Sequence, residues 1–323
     1  MSPIRFLIVG TGGFARYRLG NLLPLHGVKV VGLADPDTSQ IHRTREAHPS
    51  LMDVPAFEGF DQGLSLEPDA VCIMTPHTQH VWQVEKSFAA GAHVLVEKPL
   101  STTIADCERC IRARDAAGKV GMVSYQRHGL GIFRELRAIC SEGRLGKLLM
   151  FNSHLSQDWL RATSGTWRQV PEESGGGQIN DSGSHMIDIL LWATDLHPAR
   201  VSAFMDNRGS DVDINSVVNV EFDNGALGSL TIIGDAPMWQ ERHAFWFEEG
   251  IVFLQDETLT IHDRTGRRTT IDQWPKADTP DANFVAAIRG EAEVMSPFEC
   301  GLATIRLTEM AWKSAETGAP VSA

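Results

Sequence analysis

Residues 4–9, Ile-Arg-Phe-Leu-Ile-Val, form a nearly continuous apolar run that ends in glycines, the pattern of a short strand covered on both faces. A helix is expected over 14–25, followed by a second apolar run at Val28–Ala34. A third run, Ala70-Val-Cys-Ile-Met74, stops at Thr75-Pro76. Thr78–Ala90 then reads as a helix that leads into a fourth run, His93–Val96. Strands alternating with helices predict right-handed βαβ crossovers and therefore a parallel sheet.

After about residue 124 the rhythm changes. A helix is expected over 130–141, an apolar segment covers 148–155, glycines fill 175–177, and a second helix is expected over 184–193. Strand-like segments follow at 199–206, 215–222, 226–233, 243–248 and 251–255, with turn signals such as Asp223-Asn224-Gly225 and Glu249-Gly250 between them. That pattern predicts a large, mostly antiparallel open sheet. The tail is helical in pattern over 282–290 and 299–317, with Ile305, Met310 and Trp312 available to pack it back on the body. The fold class is α/β: a parallel-sheet domain over 1–124, then an α+β domain over 125–323. No internal repeat or low-complexity segment interrupts it.

A length of 323 residues agrees with two domains, since one domain spans roughly 100–200. The formal charge of −12 argues against nucleic acid as a partner, because binding it requires Lys and Arg to displace counterions from phosphates. No segment approaches the roughly 20 apolar residues of a membrane span, and Met1–Gly10 lacks the features of a signal peptide. The five cysteines are sparse and odd in number, unlike a secreted disulfide framework, so a cytoplasmic setting is expected. Cys107 and Cys110 form a CxxC spacing inside a helical pattern over 102–118. With no second pair to complete a metal set, Cys107 reads as core packing.

Gly10-Thr11-Gly12-Gly13-Phe14-Ala15 matches G-x-G-x-x-A directly after the first strand and at the start of a helix. In a dinucleotide site the first glycine makes the tight turn, the second admits the pyrophosphate to the backbone, and the small last residue packs helix on strand. Asp35, 20 residues beyond Ala15 at the end of the second strand, is placed to accept hydrogen bonds from the adenosine ribose and to repel a 2′-phosphate. NAD is therefore preferred, while Arg43 and Arg45 keep NADP open. A helix-capping role for Asp35 is the alternative. Thr75, Pro76, His77 and His80 follow the third strand, where a parallel sheet holds its ligand crevice, and are candidates for the nicotinamide half. Turn chemistry with Thr78 as N-cap explains the same residues.

Glu97-Lys98-Pro99 follows the fourth strand. Oxidation of a secondary alcohol needs a base and a group that stabilises oxyanion charge, and a lysine ammonium suits the second task. Asp181, His185 and Asp188 recur at near-helical spacing after Gly175-Gly-Gly177. A histidine with carboxylate neighbours is held in one tautomer and tuned as a proton acceptor. No further ligand cluster supports a metal.

These segments together resemble the Gfo/Idh/MocA oxidoreductases: the glycine-rich turn, Glu-Lys-Pro-Leu at 97–100, Gly-Gly-Gly…Asp-x-Gly-x-His-x-x-Asp at 175–188, and Ser314-Ala-Glu-Thr-Gly318. The resemblance implies an N-terminal Rossmann domain, a C-terminal α/β domain with a large open sheet, and a substrate cleft between them. It implies that Lys98 contacts the reacting hydroxyl and cofactor, that Asp181 orients and polarises substrate, and that His185 transfers the proton. One departure is His77, where relatives often carry asparagine.

Trp159, Trp167 and Arg168 lie in a polar loop before the glycines. Indole faces stack on sugar C–H faces and arginine clamps hydroxyls or carboxylates, so they are candidate substrate-binding residues; tryptophans that merely anchor the loop are the alternative. The expected activity is an NAD(P)-dependent dehydrogenase acting on a secondary alcohol of a sugar, inositol or related polyol. Two other readings stay open: a glycosidase that uses NAD transiently with no net redox change, and a non-catalytic NAD- or sugar-responsive regulator. An apolar open sheet face favours a homodimer or homotetramer.

Overall fold

The computed structural model describes residues 2–323 as two compact units. The first comprises residues 2–101, 105–126 and 278–301, and the second residues 102–104, 127–277 and 302–323. The sequence places everything after residue 124 in the second domain. In the structure, residues 278–301 return to the first unit.

Through residue 126 the chain runs β1 (Ile4–Val9), α1 (Gly13–Leu22), β2 (Val28–Ala34), α2 (Thr38–Ala47), β3 (Ala56–Phe57), α3 (Phe60–Leu64), β4 (Ala70–Ile73), α4 (His80–Ala89), β5 (His93–Val96), α5 (Ile104–Ala117) and β6 (Gly121–Val123). The six strands are parallel in the order β3-β2-β1-β4-β5-β6. The order reverses between β1 and β4, which opens a crevice beyond the carboxyl ends of those two strands. The runs at 28–34 and 93–96 become strands with the expected bounds, while helix 14–25 stops at Leu22, just before Pro24. Segments α2, β3 and α3 were not anticipated. Only Ile41 and Thr44 of α2 are buried, so it carries no apolar stripe to read.

From residue 127 the elements are α6 (Gly131–Ser141), β7 (Leu148–Ser156), α7 (Trp159–Ala162), α8 (Pro171–Ser174), α9 (Ser182–Thr194), β8 (Pro198–Asp206), β9 (Asn215–Phe222), β10 (Leu227–Ile233), β11 (Gln240–Phe247), β12 (Gly250–Gln255), β13 (Thr258–Asp263) and β14 (Arg268–Ile271). Then come α10 (Pro280–Ile288), α11 (Phe298–Thr317) and β15 (Val321–Ser322). The nine-strand sheet has the order β14-β13-β12-β11-β7-β10-β9-β8-β15. All of its pairings are antiparallel except β7 with β10.

Each unit has its own core. In the first, Phe6, Ile8, Leu19, Leu33, Cys72 and Leu95 pack with Phe284 and Val285 of α10. In the second, α6, α9 and the later turns of α11 cover one sheet face, bringing Leu136, Met186 and Leu307 against Phe151, Val218 and Phe245. Each such side chain contributes about 1.5–3 kcal/mol on removal from water. Period-2 alternation along β9 buries Val218 and Val220 and leaves Val217 on the opposite face, which is open. Cys107 and Cys110 are fully buried, consistent with packing. No helix among the described residues is long and apolar enough to cross a membrane.

Candidate active site

In the first unit the turn after β1 requires glycine at position 10. Its φ is +78°, and a Cβ there would lie 2.5 Å from the Met74 carbonyl oxygen. Gly12 is the N-cap of α1 with no side chain capping the helix, and nothing lies within 4 Å of where its Cβ would be. Free helix-terminal amides beside open space form the cradle that a pyrophosphate needs, so the residues present fit a dinucleotide. Ala15 is buried, as close helix packing requires, and Phe14 is exposed beside the turn.

Asp35 locks this turn. Its carboxylate accepts from the Thr11 amide at 2.6 Å, the Thr11 hydroxyl at 2.9 Å and the Asp37 amide at 2.9 Å. The capping alternative falls to its neighbour: Asp37 is the N-cap of α2, accepting from the Ser39 amide at 2.9 Å, and those contacts lower its pKa. Arg45 donates to the Val54 carbonyl at 2.7 Å, while Arg43 is exposed.

Thr75, Pro76 and His77 follow β4, and Lys98 follows β5, so strand ends deliver all of them to one side of the sheet. The Thr75 hydroxyl bonds Gln83 Oε1 at 2.6 Å. A single 3-10 turn, His77–Gln79, precedes α4 with Pro76 rather than Thr78 as its N-cap. His77 is buried and meets His80 edge-on at 5.9 Å.

His80 is held at both ring nitrogens. It is fully buried, with Nδ1 2.9 Å from the Pro99 carbonyl oxygen and Nε2 3.0 Å from that of Thr75. Burial lowers its pKa against the pull of those two carbonyls. The ring is a strut between the ends of β4 and β5.

Glu97 is buried in a network the sequence did not reveal. Arg18 of α1 donates to Glu97, to the Ser124 hydroxyl after β6, and to Asp281 of α10 at 3.0 Å. The Lys98 amide donates to Glu97 Oε2 at 3.3 Å, and the Lys98–Pro99 peptide is cis. Arg18 looked like any polar helix residue; only its partners on three distant segments mark it.

In the second unit, Asp181 is the N-cap residue of α9 and His185 lies one turn later, so helix geometry sets both on one face. Asp181 is 6% exposed, and its Oδ2 accepts from Trp159 Nε1 at 2.8 Å and Arg168 Nε at 3.1 Å. The Arg168 guanidinium stacks over the Trp167 ring at 4.5 Å. The candidate substrate loop and the candidate catalytic aspartate are therefore one assembly. Trp159 is 3% exposed, while Trp167 and Arg168 stay half-buried.

Asp188 has a partner outside its own helix. It is buried and pairs with His128 Nε2 at 2.8 Å, and His128 in turn stacks on Trp192 at 4.3 Å. Burial raises the Asp188 pKa against that pairing. The glycine run is shaped by Asp213, which accepts from the Gly177 and Ile179 amides at 3.0 and 2.9 Å and from Trp312 Nε1 at 3.0 Å. A Cβ at Gly177 would lie 2.0 Å from the Asp213 carbonyl oxygen.

Comparison with known proteins finds a family match in each half of the chain. Residues 4–125 match the model for the oxidoreductase family with an NAD-binding Rossmann fold, and residues 133–253 match the GFO/IDH/MocA C-terminal domain. A Comamonas testosteroni 1-carboxy-3-chloro-3,4-dihydroxycyclohexa-1,5-diene dehydrogenase is 25% identical over 76% of this chain and 62% of its own. The chain thus spans somewhat less than two thirds of that relative. A Haloarcula marismortui D-xylose 1-dehydrogenase [NADP(+)] is 21% identical over 99% of this chain and 93% of its own. Among solved structures, the WlbA dehydrogenase of Bordetella pertussis, in complex with NADH and UDP-GlcNAcA, superposes with a TM-score of 0.86 at 22% identity, covering 99% of each chain. With both halves matched, the chain belongs to the Gfo/Idh/MocA family of oxidoreductases, and its first unit is an NAD-binding Rossmann domain.

Proposed function

We propose that the protein is an NAD-dependent dehydrogenase of a sugar, inositol or related polyol, with Lys98, Asp181 and His185 as its catalytic residues. The observation that carries this reading is the Asp181 assembly, in which an indole N–H and a guanidinium fix one carboxylate oxygen a helical turn from His185. A carboxylate held so firmly serves to orient a substrate hydroxyl. His185 takes the hydroxyl proton, and the Lys98 ammonium stabilises the alkoxide charge as it develops. When bound, the nicotinamide supplies the hydride acceptor. The Gly10–Ala15 turn holds its pyrophosphate, and Asp35 favours NAD over NADP.

The test is a panel of sugars, inositols and glycosides with NAD and with NADP, followed by absorbance of the reduced cofactor and by product analysis. NADH formed in step with oxidised sugar is the expected result. Glycoside cleavage without NADH overturns it in favour of the redox-assisted glycosidase. The open face of the nine-strand sheet, with Phe204, Val217 and Leu227 exposed, supports self-association of the chain, which sedimentation velocity tests.

A further inference from the structure

A cavity of about 540 Å³ lies within the second unit, lined by Arg127, Trp239, Glu241, Asp256, Glu257 and Trp274 among others. It sits at the same end of the nine-strand sheet as Asp181. Gln240 pairs with Ser156, and the adjacent Gln157 donates through Nε2 to Ser182 Oγ at 2.6 Å. On one side of the cavity, Trp274 and Pro275 lie against the first residue of α6. A Cβ at Gly131 would come within 2.4 Å of the Trp274 ring and 2.2 Å of the Pro275 carbonyl oxygen.

The charge of this cavity is one-sided. Arg127 is the one cation among its lining residues, and it is already neutralised. It forks onto the Glu241 carboxylate, with Nη2 2.7 Å from Oε2 and a second, closer contact through Nη1. His243 backs the same carboxylate at 3.0 Å from its Nε2, with its Nδ1 facing the Ser153 hydroxyl. Asp256 and Glu257, at the exposed turn between β12 and β13, add two carboxylates that no lining cation balances. Trp239 and Trp274, 53% and 40% exposed, supply two indoles.

Resting on the dehydrogenase reading above, we propose that this cavity is a subsite for an ammonium group on the substrate, so that amino-substituted sugars or polyols are the substrate class. An ammonium ion gains from an indole face and from nearby carboxylates together. A substrate carboxylate or phosphate would meet two uncompensated negative charges and be disfavoured.

D-glucosamine, D-glucose and D-glucuronate serve as probes on the NAD-loaded protein, read by tryptophan fluorescence and by KM where turnover occurs. At a pH where the amine is protonated, D-glucosamine should bind about tenfold more tightly than D-glucose, with D-glucuronate weakest. The preference should shrink with added salt and above the pKa of the amine. Asp256→Asn with Glu257→Gln, both exposed and so tolerable to the fold, should bring the first two probes within about twofold. Equal binding of all three probes, or a preference untouched by the double substitution, overturns the subsite. NADH formation without ammonium preference defeats the subsite alone. Ammonium preference without NADH from any sugar defeats the dehydrogenase reading and leaves the subsite standing.

Discussion

Arg18 and Asp281 meet at 3.0 Å although 263 residues separate them, and both side chains are at most 5% exposed. The same guanidinium holds Glu97, so one buried cation serves two buried anions. Burial alone would lower the Arg18 pKa, and the two carboxylates outweigh it and raise it. Burial raises the pKa of Asp281, with Arg18 opposing. Removing the cation leaves two carboxylates in a dry site, so Arg18→Met should destabilise the fold by about 3–5 kcal/mol. Urea unfolding measures this, and a loss under 1 kcal/mol would show that water reaches the network.

Lys98→Ala and His185→Ala should each lower kcat by about 10²–10⁴-fold, the usual range for a lost acid, base or oxyanion partner. NAD affinity, measured by calorimetry, should stay near that of the unaltered protein. Undiminished turnover in both variants sinks the catalytic assignment.

Asp35→Ala removes the partner of Thr11 as well as a ribose acceptor. Affinity for both dinucleotides should fall, NAD by about tenfold or more and NADP by less, since hydrogen bonds to a charged acceptor are worth about 1.5–3 kcal/mol. Equal losses for the two cofactors would leave Asp35 a loop anchor only.

Trp159→Phe keeps the ring in its pocket and deletes the N–H that fixes Asp181. We expect kcat/KM to fall about tenfold or more while the melting temperature changes little. A large loss of stability with normal kinetics would make the indole purely structural.

Glu241 connects stability to pH. Burial alone would raise its pKa, but His243 and Arg127 hold it at about 2, below the ordinary 4.5. The folded form therefore binds the proton less readily than the unfolded chain. This group's contribution is fully present above pH 4.5 and is lost as pH falls from there toward 2. Arg127→Met should flatten that part of the acid denaturation curve, and an unchanged slope would contradict the pairing.

Much of the architecture was legible wherever burial was two-sided. Val28–Ala34 and His93–Val96 are continuous apolar runs because helices cover both faces of their sheet. The short exposed strand Arg268–Ile271 and the polar helix Thr38–Ala47 were not legible, since neither buries a patterned face. At the site, the clusters containing Asp181 and His185 could be read as dense polar motifs after glycines. The partners that hold them could not. His128, Asp213 and Arg18 each act on a residue distant in sequence, and no local spacing encodes such pairings. The spacing of Asp188 likewise points along its own helix, whereas its bond to His128 reaches a segment 60 residues away.

The return of residues 278–301 to the first unit has a consequence for biosynthesis. Phe284 packs edge-on against Phe6 at 6.2 Å, and Asp281 completes the charge on Arg18, so the N-terminal half lacks part of its core until the chain is nearly complete. As the polypeptide leaves the ribosome, both halves wait on its last stretch: the nucleotide-binding half for α10, and the second sheet for the α11 residues that cover it and for β15. A fragment ending near residue 126 should accordingly be a poor folder, and supplying residues 278–301 as a separate peptide should improve it.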